Sequence, residues 1–314
     1  MPRLFVPDYT RAGWSDPDQA DDLAARYCEH LEAGEILFFP DCPFDFPEES
    51  RQALLAHRQS GLKYHKNVSY QPLTGVVRGM SADDQQAVDE LRGVLRTYSN
   101  AVVKFVDDFL APYLGHYKLD FASYRPVEEE GRPMSLHKRN DLLHVDAFPN
   151  RPTAGGRILR VFTNLNPTKT RDWIVTDGFD RLAERYADEA GLKRFARQAR
   201  SPVSRFLRRV ATAPFRLAGK LKGMPTAYDR FMQRFHNFLK ENDAFQRDCP
   251  KEAIEFPPGS TWLVYTDFVP HAVLRGQFAL EQTFIILPDG MVTPDRAPIR
   301  ILERMSGTRL AASA

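Results

Sequence analysis

Two blocks of strand-like segments, at 119–177 and 251–290, are separated by a long stretch of helical pattern. Each block consists of short apolar runs bounded by Pro and Gly, which is typical of β-strands. The first block holds LDFASYRPV, LLHVDAF, RILRVFTNLN and DWIVT, and the second is predicted to hold three or four strands. Two β blocks interrupted by one insertion most economically form a single antiparallel sandwich or barrel with helices outside. The sequence therefore predicts an α+β chain with a mainly β core.

The helical regions flank and interrupt this core. Before it, the apolar spacing predicts helices at 15–33, 47–57 and 81–113, with Ser15, Asp16 and Ser81 as capping residues, and a short strand at 35–39. The predicted organisation is an N-terminal region packed on the core (1–118), the first half of the core (119–177), a basic helical insertion (178–250), the second half of the core (251–290) and a C-terminal tail (291–314).

Composition is that of an ordinary globular protein, with 43% hydrophobic residues and a formal net charge of +2. We find no apolar run near the ~18 residues that would span a bilayer, and no secretory signal at the start, so we expect a cytoplasmic location. The three cysteines, Cys28, Cys42 and Cys249, are widely spaced, which predicts neither a disulfide framework nor a zinc ribbon.

Charge is unevenly distributed, because residues 191–223 hold ten Lys or Arg and no Asp or Glu. Phe and Leu residues are interleaved with these cations, as in a helix that lies on an anionic membrane surface. A basic solvated face over a packed stripe is the alternative. Nucleic acid is not expected as a partner, because no nucleic-acid-binding motif accompanies the charge.

A candidate metal site lies in the first block, where His144 and Asp146 are two positions apart. Alone, this pair is also explained by a hydrogen-bonded histidine near a strand end. The second block adds His271, at the head of another strand. Two imidazoles and a carboxylate from separate strands form the facial triad of non-haem iron(II) oxygenases. Zinc is less favoured, since no general-base motif of a zinc hydrolase is present.

Four separated motifs together resemble the Kdo hydroxylase family of iron(II) and 2-oxoglutarate dependent dioxygenases, over residues 35–290. They are YHKNVSYQP at 64–72, HVDAFPNRPTAGGRILRVFTNLNP at 144–167, FPPGSTWLVYTDFVPHAVL at 256–274 and GQFALEQTF at 276–284. The resemblance implies a double-stranded β-helix core, also called a jelly-roll or cupin-like fold. It also implies Fe(II), 2-oxoglutarate and O2, with ascorbate as an in vitro additive, and hydroxylation of carbon 3 of Kdo in Kdo-lipid A.

One feature departs from the wider oxygenase pattern, in which an Arg about ten residues after the distal His holds 2-oxoglutarate. Here residues 280–284 are Leu-Glu-Gln-Thr-Phe. The period of two along a strand places Arg160, Phe162 and Asn164 on one face, and an inward Arg160 needs a carboxylate partner. The candidate co-substrate residues are Arg160 first, with Asn164 on the same face, then Arg125 and then Arg275.

The substrate candidates are Lys66 and Asn67 in the first motif, and Lys138 and Arg139 on the approach to His144. Their charge and amide groups suit a sugar acid, although a solvated loop explains them equally. A substrate held in lipid also predicts a peripheral position on the inner face of the inner membrane. Two other functions remain open, a non-catalytic membrane-associated β-sandwich and a metal-dependent cupin-type sugar isomerase or hydrolase; oligomeric state is not predicted.

Overall fold

The computed structural model describes residues 3–9, 17–57, 67–80, 85–201, 210, 213–214, 217 and 223–311. The predicted caps Ser15, Asp16 and Ser81 lie outside these residues, as does Lys66.

The core of the molecule is a large, mostly antiparallel sheet with strand order β1-β2-β9-β6-β11-β5-β3-β4. These strands are β1 (Leu4–Phe5), β2 (Ile36–Phe39), β3 (Val68–Gln71), β4 (Val76–Arg78), β5 (Tyr117–Arg125), β6 (Arg157–Asn164), β9 (Thr261–Tyr265) and β11 (Ala279–Ile286). Every residue of β6 and β11 is buried, since both strands are central and covered on both faces. Both predicted β blocks therefore meet in one sheet, and the N-terminal region adds strands to it.

A smaller antiparallel sheet, with order β10-β7-β8, faces the large one. Its strands are β7 (Arg171–Val175), β8 (Glu252–Phe256) and β10 (His271–Arg275). Between the sheets lies an aromatic cluster in which Phe256 and Trp262 stack with ring centroids 3.8 Å apart, and Phe162 and Trp173 meet edge to face at 5.1 Å. Such aromatic contacts bury large apolar areas and fix the spacing of the two sheets.

Helices cover the outer face of the large sheet. They are α1 (Pro17–Glu32), α2 (Glu48–Ala56) and α3 (Gln85–Phe109). The long helix α3 is tied to the sheet by two polar contacts besides its apolar face. Ser99 donates to Gln282 Oε1 over 2.8 Å, and Tyr98 donates to the Val161 carbonyl over 3.5 Å. The predicted N-terminal helices are thus present, with α3 ending at Phe109 and followed by a short 3-10 helix at Ala111–Tyr113.

The insertion between the β blocks contains α4 (Phe179–Tyr186), α5 (Leu192–Arg200), α6 (Ala227–Glu241) and α7 (Asp243–Asp248). Beyond the second β block, α8 (Pro298–Ser306) buries Ile299, Ile301 and Leu302. The region predicted as a C-terminal tail therefore includes a packed helix. Across the described ranges, none of the helices has both the length and the apolar character to cross a membrane.

The predicted strand LLHVDAF is wrong, because residues 142–148 form no ladder and are joined to β10 by a single bridge, between His144 and His271. On the side that faces away from β10, no described strand of either sheet pairs with this segment. The strand-like apolar alternation of Leu143 and Val145 arises instead from burial, since they are 2% and 0% exposed.

Candidate metal centre and active site

His144, Asp146 and His271 converge between the two sheets. One ligand atom from each lies within 4.8 Å of the others. The geometry follows from the bridge, because the His144 N–H donates to the His271 carbonyl over 3.2 Å and the His271 N–H donates back over 2.9 Å. The Asp146 N–H then donates to the Thr266 carbonyl over 2.8 Å. The segment thus runs antiparallel to 266–271, which places all three side chains together.

Both imidazoles are oriented by a local hydrogen bond. His144 Nδ1 donates to the Leu142 carbonyl over 2.7 Å, and His271 Nδ1 donates to the Val269 carbonyl over 3.0 Å. A carbonyl can only accept, so each Nδ1 carries the proton and each Nε2 keeps its lone pair. This is the arrangement that metal-binding histidines ordinarily show. Trp173 stacks on the His271 ring, with centroids 4.9 Å apart and planes 20° apart, and fixes its tilt.

The Asp146 carboxylate is held in its charged form. Burial opposes ionisation, but Arg160, the two histidines and a hydrogen bond from the Thr266 side chain outweigh it, so the pKa of Asp146 lies well below its usual range. Its Oδ1 lies 3.7 Å from His144 Nε2, and its buried Oδ2 has no hydrogen-bond partner, although the Arg160 guanidinium lies 3.2 Å away. A buried charged oxygen without a hydrogen bond is costly, and a bound cation satisfies it.

The two histidines are held neutral. Burial, followed by nearby Lys240 and the neighbouring imidazoles, lowers the pKa of His144 well below its usual value. Burial also lowers the pKa of His271, although Asp146 acts in the opposite direction. Neutral imidazoles and an ionised carboxylate are the protonation states that a divalent metal requires. The donor set, its protonation and the unsatisfied oxygen therefore fit a metal ion.

A buried charged cluster lies beside the metal ligands. Arg160 Nε is 3.2 Å from Asp146 Oδ2, and its Nη1 donates to Glu281 Oε2 over 3.3 Å. Arg125 donates to the same Glu281 oxygen from Nη2 over 2.7 Å and lies 3.5 Å from Glu129 Oε1. Arg160 is thus inward-facing and has carboxylates on two sides, as expected for a buried arginine.

Glu281 and Arg171 also belong to this cluster, although neither was predicted as a site residue. Burial opposes ionisation of Glu281, but Arg125 and Arg160 lower its pKa below the usual value. Burial, assisted by Arg125, lowers the pKa of Arg171 to about 10. The signal for Glu281 was present, because it is a lone acid in the apolar run FALEQTFIIL, and a buried acid needs cationic neighbours.

Asn164 and Arg275, which were also predicted to bind the co-substrate, do not contact the charged cluster in the described part of the chain. Asn164 Nδ2 donates to the carbonyls of Lys169, Phe256 and Pro257, so its amide is used in bracing a loop. Arg275 forms an ion pair with Asp172 and its side chain is 55% exposed.

The predicted substrate residues lie nearer the surface. Arg139 pairs with Asp141 over 2.6 Å and, with Glu129 and Asn140, lines a surface cavity of about 640 Å³. Lys138 is exposed beside it. Asn67 is half-buried and its Oδ1 has no hydrogen-bond partner. Because Glu129 also contacts Arg125, the cavity adjoins the charged cluster.

Comparison with known families gives a match over residues 14–309 to the model of 3-deoxy-D-manno-oct-2-ulosonic acid (Kdo) hydroxylase. This match covers nearly the whole chain. The chain belongs to the Kdo hydroxylase family. A search of curated proteins found no match.

Solved structures agree with this membership. An apo structure of the Kdo hydroxylase KdoO, described as a non-haem Fe(II) 2-oxoglutarate-dependent dioxygenase, is 32% identical, with a TM-score of 0.82, covering 100% of this chain and 99% of that chain. A KdoO complex with 2-oxoglutarate and Fe(III) is 32% identical, with a TM-score of 0.79 and coverage of 99% and 97%. A KdoO complex with cobalt(II) is 33% identical, with a TM-score of 0.81 and coverage of 100% and 99%.

The predicted family and fold class are confirmed by these matches. So is the prediction of an Fe(II) and 2-oxoglutarate dependent dioxygenase, since the solved Kdo hydroxylases carry these groups and the His-Asp-His group is present here. The alternatives, a non-catalytic sandwich and a sugar isomerase or hydrolase, are not favoured.

Proposed function

We propose that this Kdo hydroxylase acts on carbon 3 of Kdo in a Kdo-lipid A acceptor, with iron bound by His144, Asp146 and His271. The convergence of these three side chains is the observation that carries the proposal. Bound iron(II) supplies, with 2-oxoglutarate and dioxygen, the oxidising power for hydroxylation, and the co-substrate is released as succinate and carbon dioxide.

Arg160 is the proposed anchor of a 2-oxoglutarate carboxylate. It is buried beside the proposed metal ligands. Its Nη1 donates to Glu281, and its Nε lies 3.2 Å from Asp146 Oδ2 without making a hydrogen bond. Arg125, by contrast, already donates to Glu281 from both Nε and Nη2. A guanidinium that keeps an N–H without a hydrogen bond suits a carboxylate, because the planar fork and the carboxylate oxygens match.

Charge balance supports the binding of metal and co-substrate together. In the described part of this cluster, four arginines face four carboxylates, namely Arg125, Arg132, Arg160 and Arg171 and Glu128, Glu129, Asp146 and Glu281. A divalent cation and a dicarboxylate leave this balance unchanged, whereas either one alone adds an uncompensated buried charge. We therefore expect each to bind more tightly in the presence of the other.

The sugar acid is proposed to enter from the cavity lined by Arg139, with Lys138 beside it and with Asn67 and Lys66 as further contacts. Arg139 is half-exposed on the cavity wall, where a cation can meet the sugar carboxylate without losing its hydration. On the inner side, Trp173 of the aromatic cluster stacks on the His271 ring.

We also propose that residues 191–223 dock the enzyme on the inner face of the inner membrane. In the described part of this segment, Arg194 and Arg197 are exposed on α5, and the side chains of Val210 and Leu217 are 59% and 89% exposed. Exposed apolar groups among cations are suited to a membrane interface. Phe195, by contrast, is only 6% exposed and packs against Phe231, so it supports the core.

The test of the reaction is incubation of the protein with Fe(II), ascorbate, 2-oxoglutarate and Kdo-lipid A. We expect succinate release that depends on the acceptor, and a gain of one oxygen atom on the Kdo sugar by mass spectrometry. Fragmentation then reports the carbon. Hydroxylation at another carbon would contradict the proposed position, and an Asp146→Ala protein with full activity would contradict the metal assignment.

A further inference from the structure

The segment 142–148, which we call the metal-binding segment, is unusual because it carries two of the three proposed ligands and yet belongs to neither sheet. Its backbone is bonded to the second block only through the His144–His271 bridge and the Asp146–Thr266 bond. Those bonds involve the residues whose side chains face the metal. The alternate residues, Leu143 and Val145, direct their backbone groups to the other side, where a strand would ordinarily pair with them.

Gln246 of α7 takes the place of that strand at Leu143. Its Oε1 accepts from the Leu143 N–H over 3.0 Å, and its Nε2 donates to the Leu143 carbonyl over 2.9 Å. This is the pair of bonds that a neighbouring strand would make, supplied by one side-chain amide. The same Nε2 also donates to the Leu239 carbonyl over 2.8 Å, which ties the amide to the end of α6.

His236 of α6 supplies one such bond two residues later. Its Nδ1 donates to the Val145 carbonyl over 2.7 Å, and its ring meets the His144 ring edge to face, with centroids 4.9 Å apart. Val145 is the residue between the two ligands. A movement of the His236 side chain would therefore displace both His144 and Asp146.

Lys240, one turn further along α6, fixes the chain that leads into this segment. It is 2% exposed and donates to the carbonyls of His137 and Arg139 over 3.1 and 2.7 Å. The insertion thus bonds, in order along the chain, to residues 137–139 before the segment, then to Leu143 and then to Val145.

We propose that Gln246 and His236 are positioning residues, which set the metal affinity by serving as the missing neighbour strand of residues 143–145. This inference rests on the proposed assignment of His144 and Asp146 as metal ligands. It gives the helical insertion a role in the metal centre that is separate from any membrane docking. Residues that orient metal ligands without touching the metal typically change affinity by about 10- to 100-fold when substituted.

The test uses Co(II) as the probe, titrated into the metal-free protein and followed by calorimetry and visible absorption. Gln246→Glu keeps the shape and the acceptor but replaces the Nε2 donor, and His236→Leu removes the Nδ1 donor. We expect each to weaken Co(II) binding by about 10- to 100-fold. Gln52→Glu, on the exposed face of α2, is the matched control and should bind Co(II) like the wild type.

His236→Asn separates positioning from packing, because the Asn amide can donate from nearly the same place as Nδ1. We expect it to recover most of the Co(II) affinity that His236→Leu loses. Amide hydrogen exchange in the metal-free proteins should also show faster exchange at residues 142–146 in Gln246→Glu, without faster exchange in β6. Equal losses in His236→Asn and His236→Leu would overturn the proposal in favour of general packing.

An Asp146→Ala protein tests the assignment of the metal ligands separately from the positioning role of Gln246 and His236. If Asp146→Ala loses Co(II) while Gln246→Glu and His236→Leu bind it normally, the metal ligands stand and the positioning role is overturned. If Asp146→Ala retains wild-type Co(II) affinity, the ligand assignment fails and the positioning inference fails with it.

Discussion

At the scale of single residues, Glu281 shows how a buried charge is balanced in this protein. The position lies in the strand from which many oxygenases direct an arginine to 2-oxoglutarate, and here it is an acid between Arg125 and Arg160. A buried carboxylate with two guanidinium partners is stable, whereas removal of one partner leaves an unpaired charge. The two arginines paired with Glu281 come from strands β5 and β6.

Arg160→Ala tests the proposed co-substrate anchor. Because losing one partner of a buried charge pair costs about 3 to 5 kcal/mol, we expect the KM for 2-oxoglutarate to rise by about two to three orders of magnitude. Steady-state succinate release gives this value. Arg275→Ala, at an exposed ion pair, is the control and should leave the KM unchanged.

Arg160 also lies 3.2 Å from Asp146, so the same variants are compared in Co(II) titrations without co-substrate. A loss confined to 2-oxoglutarate supports the anchor. A loss of Co(II) affinity as large as the change in KM would make Arg160 a support for Asp146, and a raised KM in Arg125→Ala alone would transfer the anchor there.

Asp267 provides a pH-dependent test of the electrostatics of the core. It is 1% exposed, and Arg157 lies 3.8 Å away. Burial raises the pKa of Asp267 to about 6, with Arg157 offsetting only part of this effect. In the unfolded chain its pKa is about 4, so between pH 4 and 6 the folded state retains a proton that the unfolded state has lost. This contribution to stability is present below pH 4 and is lost as the pH rises to 6.

We therefore expect the free energy of unfolding of the wild type to fall, relative to that of Asp267→Asn, by up to about 3 kcal/mol between pH 4 and 7. Urea denaturation of both proteins at each pH gives the difference. Asp248→Asn, at a side chain that is 61% exposed, is the control. A difference between wild type and Asp267→Asn that does not change with pH would contradict the assignment.

At the scale of elements, the turn between β10 and β11 connects the strand that carries His271 to the strand that carries Glu281. Gly276 in this turn has a φ of +131°, and its carbonyl accepts from Arg171 Nη1 over 3.0 Å. A Cβ at this position would lie 2.7 Å from Arg171 Cγ and 3.1 Å from Arg171 Cα. Only glycine fits both the backbone conformation and the close approach of β7.

Gly276→Ala is expected to lower the free energy of unfolding by about 1 to 3 kcal/mol from backbone strain, and further through the contact with Arg171. Urea unfolding gives the change. Gly75→Ala is the matched comparison, since Gly75 also has a positive φ, of 68°, but nothing lies within 4 Å of its added Cβ. Equal losses in the two variants would show that the contact with Arg171 contributes nothing.

At the scale of the whole molecule, the helical insertion has two sides. Its inner side, α6 and α7, packs on the metal segment through His236 and Gln246. Its basic segment holds ten cations without an acid, and the exposed Leu217 lies among them. Under the docking proposal, this insertion would connect a lipid surface with the active site without a separate domain.

The docking proposal is tested by replacing Arg205, Arg208 and Arg209 with Gln. These residues lie outside the described part of the chain, and their charge alone carries the prediction. Binding to anionic vesicles should weaken by up to about 3 kcal/mol at low salt, since each cation near the surface contributes about 1 kcal/mol. Added salt should have the same effect, because the Debye length is about 10 Å at 0.1 M.

The control for this experiment is a triple Gln variant at the exposed Arg181, Arg247 and Arg300, which should bind vesicles like the wild type. Turnover of a short, water-soluble Kdo glycoside should be nearly unchanged in both variants. Vesicle binding that responds to neither the Arg205, Arg208 and Arg209 substitutions nor salt would end the docking proposal. Equal activity losses on soluble and vesicle-held substrates would place these arginines in the active site or the fold.

The sequence by itself predicted the family, the two β blocks and His144, Asp146 and His271 as metal ligands, because residue types, order and strand period can be read from it. The family is shown, and the structure brings the three side chains together. The inward direction of Arg160 was also predictable, since residues two apart on a strand point to the same face and Phe162 lies two residues further along β6.

Only the tertiary structure decided how the rest of the site is built. Which strands become neighbours decides three features of the site, and the strand period does not specify it. These features are the hydrogen bonds of Asn164 to loop carbonyls, the ion pair of Arg275 at the surface and the position of Glu281 between two arginines. The segment 142–148 alternates like a strand but lacks a partner strand, and the amide of Gln246, about a hundred residues later, bonds its backbone instead. Backbone groups must be satisfied when buried, but the sequence pattern does not reveal which side chain will do so.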